Sequence, residues 1–232
     1  MNNFDIDRKE AVCIFHDTII PQVIGEITSH PTQHAFILGG QPGSGKSAFA
    51  RELLREDNNT VFINGDDLRA YHPKYYGYLN DNDVEAADKT QAVCNFWIES
   101  LIRECIQKRL NFIVEGTMRT KKVPLNTALM LRNACFSIDL VVISTPYRLS
   151  LASLQYRYES IKKFGQPARF TKKESHDEAF QNIESVLSSL IDSGLFEKFY
   201  VYKRRSNGYD VKIFASDQGI EIVQYFNEGR RD

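Results

Sequence analysis

The sequence predicts an α/β fold: a central, mostly parallel sheet of five to six strands flanked by helices. Three observations carry that expectation. Short β-rich runs alternate with long helical patterns, which is how a parallel sheet covered by helices reads. The strand runs are nearly continuous apolar stretches, as strands buried on both faces require. A chain of 232 residues, 42% hydrophobic, is long enough to bury a sizeable core.

The elements follow in order. The first 34 residues read as one helix, Arg8 to Ser29, which Pro21 should kink or split because it lacks a backbone donor. Strands are expected at Ala35 to Gly39, Thr60 to Asn64, Asn111 to Glu115, Ile138 to Ser144 and Lys198 to Tyr202, with a last one from Asp210 to Ala215. Helical patterns cover Lys46 to Glu56, Ala86 to Arg109, Val123 to Asn133, Pro146 to Lys163, Lys173 to Asp192 and Asp217 to Asn227. No internal repeat and no Pro/Gly/Ser-rich linker divides the chain. The expected organisation is an N-terminal helical segment, 1–34, leading into a domain over 35–232, one globular unit overall.

Composition excludes several function classes. Twenty-nine basic against thirty acidic side chains leave no global field toward nucleic acid or an anionic membrane, so an anion site must be built locally. The basic run Lys203-Arg204-Arg205 reads as a solvated face. No apolar stretch approaches the roughly 20 residues that cross a bilayer, and the N-terminus lacks the charged head and apolar run of a secretory signal. The four cysteines form no CxxC pair, and Cys94 and Cys105 sit among apolar neighbours in a helical pattern. A soluble, reduced, cytoplasmic protein is expected.

Gly40-Gln41-Pro42-Gly43-Ser44-Gly45-Lys46-Ser47 fits GxxxxGK[ST] at every fixed position, after an apolar strand and before a helix that continues through Ala48. Glycines let successive N–H groups converge on one concavity, and the helix N-terminus adds partial positive charge. Lys46 can reach the β- and γ-phosphates, and the Ser47 hydroxyl can ligate Mg²⁺. Gly40 to Ala48 is therefore the expected ATP-binding run, with Ser47 as the metal ligand.

Gly65-Asp66-Asp67-Leu68-Arg69 follows the second strand, and ligands of an open parallel sheet gather at the carboxyl ends of its strands. An Asp66 carboxylate there can accept the proton of an attacking hydroxyl, whereas Asp67 reads as a solvated turn. Glu115 ends the third strand, fit either to organise the Mg²⁺ water shell or to bind a substrate hydroxyl. The chain has neither an NKxD guanine motif nor the arginine-finger array of an oligomeric motor, so a small-molecule kinase fits better. Arg157 and Arg169 fall in a helix–loop–helix after the fourth strand, where a closing lid would sit; composition alone reads each as a surface residue.

An ordered set of segments runs along the chain. Gly39 to Ser47 is followed by Ile63-Asn64-Gly65-Asp66, His72-Pro73, Glu115-Gly116-Thr117, Arg119-Thr120, Val123-Pro124 and Thr127. Arg157-Tyr158-Glu159, Ala168-Arg169 and Lys173-Glu174-Ser175-His176-Asp177 complete it. From about Ala35 to Tyr202 this set resembles the zeta toxins of bacterial toxin–antitoxin systems. The resemblance implies a P-loop kinase fold with an Arg-bearing lid. It implies ATP- and Mg²⁺-dependent phosphorylation of the 3′-hydroxyl of the amino sugar in UDP-N-acetylglucosamine, which starves cell-wall synthesis of that precursor. Lys46 and Ser47 would hold triphosphate and metal, Asp66 would be the base, and Arg157 and Arg169 would neutralise the transferring phosphate. Asp66, Glu99, Glu115, Thr117, Arg119 and Thr127 would line the substrate side; from the residues alone, Glu99 and Arg103 are an i,i+4 salt-bridge pair.

The resemblance also implies a small helical antitoxin as partner, expected as a separate chain because the N-terminal segment is too short to fold as a helical bundle. The sequence departs from the family pattern in places. Asp67 adds an acid where members often carry Ser or Thr, and the long C-terminal extension of some members is absent. Tyr71 to Asp88 matches only at His72-Pro73 and is expected to border the acceptor pocket. Two alternatives stay open: the same kinase acting on another UDP-sugar, a dinucleotide or a small alcohol, or a nucleotide-binding protein that engages a partner without catalysis.

Overall fold

The computed structural model describes residues 4–205 and 208–231. Residues 1–3, 206, 207 and 232 lie outside the described residues. Six strands form one sheet: β1 (His34–Gly39), β2 (Thr60–Ile63), β3 (Asn111–Gly116), β4 (Ser137–Ser144), β5 (Lys198–Arg205) and β6 (Gly208–Ala215). Their order is β2-β3-β1-β4-β5-β6, with every pairing parallel except the last, β5–β6. Val, Ile, Leu and Phe fill β1 to β4, where branched and aromatic side chains pack a pleated surface well.

This order makes β1 the switch point, because the chain returns to one side of it through β3 and to the other through β4. In open parallel sheets the ligand crevice lies outside the carboxyl ends at such a point. Register aligns those ends: Gly39 pairs with Gly116, and Ser144 with Lys203. The turns that follow β1, β2, β3 and β5 therefore share one rim.

The two faces of the sheet are unequal. One carries a large core built from α5 (Ala86–Lys108), α6 (Lys122–Asn133), α8 (Lys173–Asp192) and α9 (Gly219–Glu228), with Trp97, Leu101, Leu131 and Leu187 fully buried on it. The other is covered by α2 (Lys46–Glu56), whose Phe49 and Ala50 pack on Leu38, Ile113, Val141 and Ile143. Cys94 and Cys105 are buried in α5, and desolvation pushes their thiols up to about 11 and about 12.

The N-terminal segment differs in form from the expected single helix. It runs as α1 (Arg8–Ile14), capped by the Asp7 carboxylate on the Lys9 N–H at 2.7 Å, and then as a π-helix from Phe15 to Ile24. Pro21 lies inside that π-helix, whose wider turns tolerate a missing donor, so the segment widens where a break was expected. Ala11, Phe15, Ile19 and Ile24 join the large core, and the Trp97 indole N–H donates to the Ala11 carbonyl at 2.9 Å.

Short elements between β2 and α5 went unread in the sequence: α3 (Gly65–Leu68), a 3₁₀ turn at Arg69–Tyr71 and α4 (Tyr75–Asp81). β5 and β6 extend beyond the expected Tyr202 and Asp210, to Arg205 and from Gly208. The fourth strand leads into α7 (Tyr147–Lys163), and a loop carrying Arg169 connects α7 to α8. No helix among the described residues is long and apolar enough to cross a membrane.

Candidate active site

The loop between β1 and α2 owes its shape to two glycines in the left-handed region, Gly43 (φ 77°) and Gly45 (φ 102°). A Cβ at Gly43 would collide with the Ser150 carbonyl of α7, so α7 packs directly on the loop backbone. Beneath it, the Gln41 amide donates to the Thr145 carbonyl at 2.8 Å, and the Thr145 hydroxyl donates to the Ser44 carbonyl at 3.2 Å. The Gln41 and Ser44 side chains are fully buried and, with Gly40, do not line the cavity. The Ser44 N–H is itself taken by the Gln41 carbonyl at 3.1 Å, so these three residues shape the loop from beneath.

Lys46 Nζ folds back onto the carbonyls of Gly40 and Gln41, at 2.7 and 3.1 Å, and lies 3.8 Å from Glu115. Burial lowers its pKa, against the opposing pull of Glu115 and Asp66. The Ser47 hydroxyl donates to Glu115 Oε2 at 2.9 Å, and the Asn64 amide reaches Ser47 Oγ and Glu115 Oε2 at 3.4 and 3.3 Å. Burial raises the Glu115 pKa, with Lys46 and the Ser47 hydrogen bond opposing it.

Asn64 also caps α3, its side chain accepting from the Asp66 N–H at 2.8 Å, which fixes where the Asp66 carboxylate emerges. Asp66 Oδ2 accepts from Arg169 Nη2 at 2.7 Å, and Oδ1 lies 3.7 Å from Arg69 Nε. Desolvation pushes this carboxyl upward, but Arg169, Arg69 and Arg157 outweigh it and hold it below the usual carboxylate range. Asp66 is an ionised acceptor at neutral pH. Arg69 is itself held rigid, donating to the Ala87 carbonyl, the Thr90 hydroxyl and Gln91 Oε1, each at 2.6 Å.

These groups surround a cavity of about 1280 Å³. Its lining includes Pro42, Gly43, Gly45, Lys46, Ser47 and Ala48, the acids Asp66, Glu99 and Glu115, and the lid arginines Arg157 and Arg169. Thr117, Arg119 and Thr127 line it too. Arg157 and Arg169, which composition alone reads as surface residues, thus come together with Lys46 and Asp66 around one space. Glu99 and Arg103 both line the cavity, and among the described residues no ion pair joins them, so the i,i+4 bridge is absent. The Thr127 hydroxyl donates to the Val123 carbonyl at 3.1 Å, which leaves its lone pairs to accept.

Asp67 is exposed, in line with the solvated turn, and borders a second cavity of about 330 Å³, beside Tyr71 and Thr60. The geometry corrects other readings. Of the stretch from Tyr71 to Asp88, Val84, Ala87 and Asp88 line the main cavity; Tyr75 and Leu79 pack into a small core of their own. The run Lys203-Arg204-Arg205 is not a solvated face. Lys203 is buried and paired with Glu228 at 2.6 Å, and Arg204 Nη1 donates to the Gly43 carbonyl at 2.7 Å; Arg205 alone of the three is exposed. Strand alternation, once β5 is extended to Arg205, puts Arg204 on the face opposite Lys203 and Arg205, and was the signal that could have set it apart. Asn64 and Arg69 were also missed as site residues, although both stand in the turn read around Asp66.

The donors present suit a hard cation. A hydroxyl and a carboxylate converge at Ser47 and Glu115 with the Asn64 amide beside them, while no cluster of three or more His, Cys, Asp or Glu among the described residues forms a closed metal cage. That pattern fits Mg²⁺, which keeps several waters and completes its shell with substrate phosphates.

Comparison with known proteins points one way. The family model described as Zeta toxin matches residues 22–218. Toxin PezT of Streptococcus pneumoniae serotype 4 is 34% identical over 181 residues, which is 77% of this chain and 72% of that protein. Toxin zeta of Enterococcus hirae is 31% identical over 184 residues, covering 78% of this chain and 63% of the relative's length. Among solved structures, one from the PezAT chromosomal toxin–antitoxin system of S. pneumoniae superposes with a TM-score of 0.77 at 24% identity, covering 97% of this chain and 96% of that one. An AvrRxo1-ORF1:AvrRxo1-ORF2 complex with ATP superposes with a TM-score of 0.60 at 11% identity, over 97% and 72%. At these identities the structural likenesses establish the fold.

Proposed function

The chain belongs to the zeta toxin family, and from that premise we propose that it is a kinase. It transfers the γ-phosphate of ATP, with Mg²⁺, to the 3′-hydroxyl of the amino sugar in UDP-N-acetylglucosamine, and acts as a toxin by removing a cell-wall precursor. One observation carries the reading: an ionised aspartate, Asp66, stands on the same rim as a phosphate loop, in one cavity with Lys46 and two lid arginines. The cavity, larger than the few hundred to 1,000 Å³ typical of a single small-ligand pocket, has room for two nucleotide-sized substrates.

In this reading the run Gly40 to Ala48 cradles the phosphates through backbone N–H groups, Pro42 having none to give, and Lys46 leaves its carbonyl partners for the β- and γ-phosphates. Ser47, with Glu115 acting through water, would hold Mg²⁺, which neutralises charge on the phosphates when bound. Asp66 accepts the proton of the sugar hydroxyl. A loose phosphoryl-transfer transition state needs orientation more than a strong base, so a depressed pKa does not disqualify it. Arg157 and Arg169 spread positive charge over the transferring group, and Arg169 must exchange its Asp66 partner for phosphate as the lid engages. Glu99, Glu115, Thr117, Arg119 and Thr127 bind the sugar nucleotide.

The PezAT neighbour is described as a toxin–antitoxin system. By that likeness a small helical antitoxin, encoded as a separate chain, is the proposed protein partner. The catalytic test is transfer of γ-labelled phosphate from ATP–Mg²⁺ to UDP-N-acetylglucosamine, with Asp66→Ala and Lys46→Ala as controls. Labelled product that vanishes in both controls is expected. ATP binding with transfer only to another acceptor would overturn the substrate. ATP binding with no turnover on any acceptor would instead favour a nucleotide-gated binding protein.

A further inference from the structure

We infer that Arg204, set by Tyr209 opposite it in the β5–β6 hairpin, is a further nucleotide-binding residue that grips the ADP part of the phosphate donor. The inference rests on the kinase reading above and assigns to that site a residue from the far side of the sheet.

Three observations place it. Arg204 and Tyr209 are directly paired across the antiparallel β5–β6 ladder, so both side chains leave the hairpin on the same face. Both reach the phosphate loop: Arg204 Nη1 donates to the Gly43 carbonyl at 2.7 Å, and the Tyr209 hydroxyl donates to the Gly45 carbonyl at 3.4 Å. Gly45 has no room for a side chain because a Cβ there would sit 2.5 Å from that hydroxyl. The pair is anchored from below, where the Phe49 ring of α2 packs against Tyr202 at 4.2 Å and Tyr209 at 6.3 Å between centroids.

Arg204 also lines the main cavity. One guanidinium nitrogen holds the loop carbonyl, and among the described residues no hydrogen bond or ion pair engages the rest of this five-donor fork. A fork fixed at one corner by protein and open at the other toward a phosphate cradle is arranged for an anion.

Topology decides which part of the donor it meets. Along the rim the sheet order gives the Asp66 turn after β2, Glu115 on β3, the phosphate loop after β1, the start of α7 after β4, and Arg204 on β5. The base and Arg204 lie on opposite sides of the loop. In an in-line displacement the attacking hydroxyl and the leaving group stand on opposite sides of the transferred phosphorus. With the hydroxyl at Asp66, the departing ADP extends toward β4 and β5, where Arg204 waits. Arg204 therefore contacts what leaves and not what is transferred.

The experiment separates binding from chemistry. Calorimetric Kd values for ATP–Mg²⁺ and for ADP are measured on wild type, Arg204→Ala, Arg204→Lys and Lys46→Ala, with the exposed Ile213→Thr of β6 as a surface control. Arg204→Ala is expected to weaken ATP and ADP by the same factor, roughly tenfold, as loss of a charged hydrogen-bond donor would. KM for ATP should rise while kcat changes little, and Arg204→Lys should recover part of the loss. Should alanine lower the melting temperature of the free protein, Arg204→Gln and Arg204→Lys carry the same comparison. Wild-type affinity for both nucleotides in Arg204→Ala would overturn the assignment, as would a loss confined to ATP. Wild-type protein that binds neither nucleotide would instead bring down the kinase reading itself, and a weakened Lys46→Ala beside an unaffected Arg204→Ala would fault the inference alone.

Discussion

On the phosphate-loop side of the cavity the frame is one contiguous backbone loop, which carries Lys46 and Ser47 and is gripped by Arg204, and buried contacts fix it. Gly43 lies against the Ser150 carbonyl, Gly45 under Tyr209, and Gln41 is tied to Thr145. On the Asp66 side the ligand-facing groups are side chains from separate elements: Asp66 from α3, Glu99 from α5, Glu115 from β3, Thr127 from α6 and Arg169 from the lid loop. Several are half-exposed and held by ion pairs that a substrate can replace, such as Asp66 with Arg169. A donor common to many kinases suits a rigid cradle that reads only phosphate. An acceptor particular to one family suits side chains whose identity changes without disturbing the sheet.

The largest expected effects test that division directly. Asp66→Asn should lower transfer by about 10²–10⁴-fold, the usual contribution of a general base, and leave ATP affinity within a few-fold of wild type. Lys46→Ala should lose transfer and nucleotide affinity together. Single-turnover transfer beside calorimetric ATP binding distinguishes them, and equal loss of ATP binding in both variants would break the comparison. Next come two glycines at neighbouring places on the same rim, one after β1 and one at the end of β3. Gly43→Ala places a Cβ on the Ser150 carbonyl and on Leu154 at a φ of 77°, costing about 1–3 kcal/mol of stability and distorting the cradle. Gly116→Ala meets nothing within 4 Å, so its melting temperature should match wild type.

The same contrast explains what the sequence made legible. The phosphate loop is contiguous, and its conformation follows from glycine spacing, so the motif and its strand–helix setting were readable before any coordinates. The parallel sheet was readable for a similar reason, since apolar runs in β1 to β4 are local signals. Arg69, Asn64 and Arg204 were not assigned, because their roles come from partners distant in sequence or from a strand register. Arg204 meets Gly43 across 161 positions, and nothing local distinguishes it from exposed Arg205 until β5 is known to continue. The π-helix was missed because Pro21 signals a break in any α-pattern, while the wider turn that accommodates it leaves no periodicity of its own.

Removing Arg169 sharpens the comparison through pH. Asp66 is desolvated, which alone raises its pKa, and the arginines reverse that. With Arg169→Ala the largest opposing charge is gone, the carboxylate is less favoured, and the pKa rises. The ionised base is then lost at a higher pH as the solution is acidified. The acid limb of residual transfer should therefore move up relative to wild type, read from the pH profile of kcat. Arg204→Ala, on the other flank, should leave that limb in place.

The smallest effect belongs to Glu99. It is exposed on the wall of the cavity, with no ion pair to Arg103 among the described residues, so its carboxylate is free for ligand and contributes little to the fold. Glu99→Gln keeps shape and removes charge. If it binds a hydroxyl of the acceptor, the neutral amide still accepts one hydrogen bond but forfeits the charge-assisted part, worth about 1 kcal/mol or several-fold in affinity. KM for the sugar nucleotide should rise several-fold while KM for ATP and the melting temperature stay at wild-type values. A change in KM for ATP would place Glu99 on the donor instead, and the two flanks would no longer be separable at α5.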